Sequence, residues 1–121
     1  MRRPQGPGLT AKLVDEMLTR FKSGQKDFLV VVERPSEIKE RMDRVRSTLN
    51  NMNLPTIGAL SMRSLFGGNE ILEMKIYFTP RSELQRDLLT RSGMVIFPIE
   101  TGLSADDREF LGLRRCEVVA L

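Results

Sequence analysis

The sequence predicts an α+β domain: a ferredoxin-like, split βαβ mixed sheet carrying an extra N-terminal helix and a C-terminal strand. Two runs, Phe28–Val32 and Met94–Ile99, are unbroken apolar stretches too short for helices, which marks strands buried on both faces. Between them lie two amphipathic helical patterns, with two strand patterns and a Gly-Gly turn in the middle. The resulting order, strand–helix–hairpin–helix–strand, is that of the split βαβ unit.

The elements follow in chain order. Residues 1–8, "MRRPQGPG", hold two prolines and two glycines and read as a flexible basic arm; residues 9–121 read as a single domain. From Thr10, a candidate N-cap, Leu13, Met17 and Phe21 recur at helical spacing with Val14 and Leu18 beside them, and Gly24 is a plausible end signal. "DFLVVVE" is then a strand, because three consecutive valines and a phenylalanine suit a pleated surface. "PSEIKERMDRVRSTLNNMN" starts at Pro35 or Ser36 and aligns Ile38, Met42, Val45, Leu49 and Met52 in one stripe. Its outer side offers Glu37 to Arg41 and Glu40 to Arg44. Pro55 breaks that helix.

Residues 57–66 and 70–78 read as a hairpin around "GGN". In its second strand Leu72, Met74, Ile76 and Phe78 face in, while Glu73, Lys75 and Tyr77 face out. Thr79 as N-cap, Pro80 at the first helical position and Gly93 at the end delimit a helix whose buried face is Leu84, Leu88 and Leu89. The strand "MVIFPI" follows, then a short helix capped by Ser104 with Asp106 and Asp107 at its positive end, then the strand "RRCEVVAL".

Because the inner strands are apolar on both sides, the sheet needs two covering layers, and its rear cannot be an open platform of base-stacking aromatics. The nearest cover is the N-terminal amphipathic helix; a second protomer is the alternative.

Composition narrows the function. The chain has no histidine, which removes the commonest general base and metal ligand and points away from an enzyme. A single cysteine, Cys116, allows no internal disulfide, fits a reducing, cytoplasmic setting, and lacks an activating base. No apolar run is long enough for a membrane helix. The net charge of +3 is uneven: residues 1–26 carry six basic and two acidic groups, hence +4, and residues 27–121 carry 13 and 14, hence −1.

The candidate contacts to nucleic-acid phosphates are Arg2, Arg3, Lys12, Arg20, Lys22 and Lys26, with the pair Arg114–Arg115 near the last strand. Arg81, Arg86 and Arg91 step by five residues and so do not share one helical face. The Gly-Gly turn lacks the Lys-Ser/Thr of a phosphate-binding loop, and Asp106, Asp107 and Glu109 are better explained by helix electrostatics than by Mg²⁺. No cofactor, metal or small-molecule substrate is expected.

These features predict a small, self-associating binding module, a homodimer for instance, that contacts RNA or DNA phosphates through a basic arm and helix. The rival expectations are an interaction subunit of a larger complex, such as a viral or phage accessory assembly, and peripheral attachment to an anionic membrane surface.

Overall fold

A computed structural model describes residues 7–54, 56, 61–66 and 70–121, with side chains for 8–54, 56 and 73–121. The elements are α1 (Pro7–Lys22), β1 (Asp27–Val32), α2 (Ile38–Asn51), β2 (Ser61–Phe66), β3 (Glu70–Pro80), α3 (Leu84–Asp87), β4 (Val95–Pro98), α4 (Ala105–Leu113) and β5 (Glu117–Val118). Single 3₁₀ turns, Pro35–Glu37 and Arg81–Glu83, lead into α2 and α3. This is the element order expected from the sequence. The turn at 67–69 and the breaker Pro55 lie outside the described residues.

The strands form one mixed sheet in the order β2-β3-β1-β4-β5. β1 is parallel to both β3 and β4, β5 is parallel to β4, and β2 alone runs antiparallel, against β3. The ferredoxin-like expectation is therefore corrected, since that arrangement makes neighbouring strands antiparallel. The physical reason lies in β1, where Phe28 to Val32 are all buried. Phe28, Val30 and Val32 enter one cluster with Leu13, Val14, Met17 and Phe21 of α1 and Val45 and Leu49 of α2. Leu29 and Val31 enter another with Leu84 and Leu88, Ile96 and Leu111. A split βαβ unit would put α2 and α3 on the same face and leave the other bare. Here α3 takes the opposite face, and β4 returns parallel to β1 on its far side. The result is a doubly wound, three-layer sandwich. Two layers do cover the sheet, but α1 shares its face with α2, and the rear cover comes from α3 and α4. The Phe28 and Phe97 rings meet at 5.9 Å under the α1–α2 layer.

Local corrections follow from the same competition between local and tertiary forces. α1 starts at Pro7, so Thr10 is not its cap but a buried position inside the helix. Arg41 does not lie on the surface against Glu37; it is 8% exposed and reaches Glu100 at 2.5 Å. Glu40 and Arg44 do pair, at 2.8 Å. The helix expected over 79–93 shrinks to the single turn α3. Thr79 and Pro80 instead finish β3, paired with Val31 and Val32 of β1. The Thr79 hydroxyl is buried and donates to Asp87 Oδ2 at 2.5 Å. Ladder pairing and that buried bond outweigh the capping signature, which is a weak local preference of about 1 kcal/mol.

Three helices end in Schellman motifs. After α1, Gln25 N–H bonds the Arg20 carbonyl and Gly24 N–H that of Phe21, with Gly24 at φ 103°. Asn53 (φ 61°) has the same role after α2, and Arg115 (φ 57°) after α4. Among the described residues no helix is long and apolar enough to cross a membrane.

Leu29 is 3% exposed on the α3–α4 side of β1. Leu29→Ala is expected to cost about 2–5 kcal/mol in chemical denaturation. A loss below about 0.5 kcal/mol, typical of surface positions, would mean that this face is not packed.

Candidate nucleic-acid interface

In doubly wound sheets ligands usually sit beyond the carboxyl ends of the strands, where the winding reverses. That point lies here between β1 and β4, and the chain fills it with its own side chains. Thr101, after β4, donates to Glu33 Oε1, after β1, at 2.5 Å, and Ile99 N–H bonds the Val31 carbonyl at 2.8 Å. Arg81, after β3, lies 3.8 Å from the same Glu33 oxygen. Glu100, in the left-handed region at φ 52°, accepts from the buried Arg41. Apart from the exposed Arg34, the charges named here are matched within the crevice, which leaves little for a ligand to neutralise.

The opposite end of the sheet is different. α1 ends there with Lys22, the connection to β1 carries Lys26, and the register sets Asp27 beside Lys75 of β3. The loops before β4 and β5 are tied together by Gly93 N–H to the Arg114 carbonyl at 2.9 Å, which brings Arg91 and Arg115 to the same rim. Lys22, Lys26, Lys75, Arg91 and Arg115 are all exposed, and none has an ion-pair partner among the described residues. The uncommitted carboxylate among them is Asp27.

Of the residues expected to meet phosphate, Lys22, Lys26 and Arg115 thus come together. Lys12 is exposed but lies ten residues back along α1, about 15 Å along its axis. Arg2 and Arg3 lie outside the described residues. Arg20 and Arg114 have internal partners. Arg20 bonds Glu117 of β5 at 2.7 Å, Glu16 at 3.1 Å and Gln25 at 3.2 Å, which fastens α1 to the sheet edge. Arg114 donates Nε to the carbonyls of Leu88 and Arg91, both at 3.1 Å, and Nη2 to that of Leu89. It closes the irregular segment after α3, where carbonyls have no helix to receive them.

Two cations escaped the sequence argument: Lys75 and Arg91. The guanidinium of Arg91 lies over the Tyr77 ring, 4.0 Å from its centroid. Two adjoining clefts of about 250 and 310 Å³ share Tyr77, Arg91 and Met94; Leu29 and Asp87 line the first, Asp27, Lys75 and Ser92 the second. The outward placing of Lys75 and Tyr77 on one strand was the available signal.

Two carboxylates are held below their ordinary range. For Glu117 the main cause is the hydrogen bond from Arg20, against a smaller opposing effect of burial. For Asp107, burial alone would raise the value, and hydrogen bonds from the Gln85 side chain and from the Ser104 backbone and hydroxyl outweigh it. Ser104 and Asp107 form a capping box on α4, so Asp107 serves the helix. Among the described residues no group of three or more His, Cys, Asp or Glu side chains is assembled to hold a metal ion. Cys116 is half-buried, with its thiol 3.7 Å from the Arg114 carbonyl.

Compared with known proteins, the chain matches no family, no curated protein and no solved structure.

A carboxylate with a depressed pKa adds stability above its unfolded value, about 4.3, and loses it as pH falls through the folded value. Replacing Glu117 by Gln should therefore shrink the drop in melting temperature between about pH 5 and pH 3. An unchanged drop would show that the Arg20 pair does not fasten the β5 edge.

Proposed function

We propose that the protein is a small, non-enzymatic module that binds nucleic acid, RNA first, by sequence-independent contacts to phosphates. The supporting observation is the rim of cations at the amino ends of the parallel strands, Lys22, Lys26, Lys75, Arg91 and Arg115, none with an ion-pair partner among the described residues; Arg2 and Arg3, which precede the opposite end of α1, are a separate source of positive charge. Each cation that meets a phosphate releases a counterion, so the rim supplies affinity without base specificity.

Arg115 strengthens the case on energetic grounds. The αL position ending a Schellman motif is normally Gly or Asn, as at Gly24 and Asn53. A branched-chain-free but bulky Arg there costs about 1–2 kcal/mol relative to Gly. Bearing that cost at an exposed position is consistent with a surface role for the guanidinium, such as contact with phosphate.

A second proposal, self-association, has its own observation. Leu89 and Leu113 are 61% and 77% exposed, and Arg114, next to Leu113 in the chain, bonds the Leu89 carbonyl. Such a pair suits contact with another copy or with a larger assembly. An anionic membrane surface would use the same rim and is the third alternative.

Affinity for a single-stranded oligonucleotide should fall steeply with salt, and removing residues 1–6 should lower the slope of log K against log salt by up to about 1.4, since two contacts contribute about 0.7 each. Arg115→Gly should raise stability by about 1 kcal/mol yet reduce that slope by about 0.7. Unchanged binding in both variants would reject the proposal. Preferential binding to anionic vesicles would assign the rim to a membrane, and a stable oligomer without nucleic-acid affinity would favour the assembly role.

A further inference from the structure

The paired clefts beneath α3 carry chemistry that a simple phosphate rim does not need. α3 covers the rear of the sheet for one turn only, with Leu84 and Leu88 packed over Leu29, Val31 and Ile96. Beyond it the chain runs as an irregular segment to Gly93, at φ 70°. Tyr77, on the rear of β3, is left half-buried beside that segment, with Arg91 stacked on its ring. The stack is held from behind: Arg114 takes the Leu88, Leu89 and Arg91 carbonyls, so the backbone carrying Arg91 is fixed relative to α4.

We propose that this slot is a base-stacking subsite, in which one nucleobase of a single strand lies against the Arg91–Tyr77 stack while its phosphate meets Lys75. The subsite presupposes the nucleic-acid function proposed above and adds to it the class of ligand: single-stranded, with an unpaired base. An exposed guanidinium held 4.0 Å over an aromatic ring can turn a face to a flat, polarizable group, which is how unpaired bases are commonly held. The adjoining volumes of about 250 and 310 Å³ sit at the small end of ligand sites, about 300–1,000 Å³, which suits one base rather than a large cofactor. The polar lining is divided, with the Lys75 ammonium for a phosphate and the Asp27 carboxylate and Ser92 hydroxyl for the N–H groups of a base edge. Duplex bases are stacked in the helix interior and cannot enter.

Tyr77 is the sole tyrosine and there is no tryptophan, so the intrinsic emission of the full chain reports this slot alone. A short single-stranded oligonucleotide should quench that emission, and inorganic polyphosphate, which has the charge but no bases, should bind without comparable quenching. Arg91→Lys keeps the charge and loses the plane. It should weaken oligonucleotide binding about 10-fold, the lower part of what one stacked base contributes, and leave polyphosphate binding within about twofold. Oligonucleotide binding with quenching no greater than that of polyphosphate would overturn the subsite and leave the phosphate rim intact. Absence of binding to either would overturn both.

Discussion

The structure depends on one constraint: β1 is apolar on both faces along Phe28–Val32 and every one of those side chains is buried. Fully burying such a residue is worth about 1.5–3 kcal/mol, so exposing either face of this one strand would forfeit several kcal/mol. That is a large part of a typical folding free energy of about 5–15 kcal/mol. Two layers are therefore obligatory. Once α1 and α2 take one face, α3 and α4 must take the other, and the parallel order of β3, β1 and β4 follows.

The double winding also determines which surface is available. It creates the usual ligand crevice at the carboxyl ends of β1 and β4, and the chain closes it with the Thr101–Glu33 and Arg41–Glu100 bonds. It gathers at the other end the C-terminus of α1 and the loops before β4 and β5, each with a cation that finds no carboxylate among the described residues. The shortness of α3 belongs to the same account. β3 continues to Pro80 because β1 offers it a partner there, and the turn left for α3 is too short to hide Tyr77.

Much of this was legible in the sequence, and the limits have physical causes. Element order, the double burial of β1 and the αL role of Gly24 are written in short-range patterns of apolarity and turn chemistry. Strand direction was not, because a split βαβ unit and this double winding share one element order and part only in long-range choices: the direction in which β3 meets β1 and the face that α3 takes. The length of α3 was misjudged because Thr79-Pro80 is a good local helix start, while the ladder that overrides it joins residues nearly fifty positions apart. The charge asymmetry was visible, and with it Lys22 and Lys26, while Arg115 stood out through the Arg114–Arg115 pair. The long-range commitments of Arg20 and Arg114 were not: beyond its neighbours Glu16 and Gln25, Arg20 bonds a residue 97 positions away, and the carbonyls that Arg114 takes lie 23 to 26 positions away. Arg91 falls on the helix expected over 79–93, on a different face from Arg81 and Arg86, and only the loss of that helix puts it over Tyr77.

Pro98 has a consequence of its own. β5 covers only Val95 and Ile96 of β4, through the carbonyls of Met94 and Ile96, so outward-facing groups on β4 fall at even positions. The next outward position is 98, and proline has no N–H to offer there. A visiting strand that tried to pair with β4 beyond the end of β5 would meet a gap in the donor row, which disfavours strand addition along that stretch.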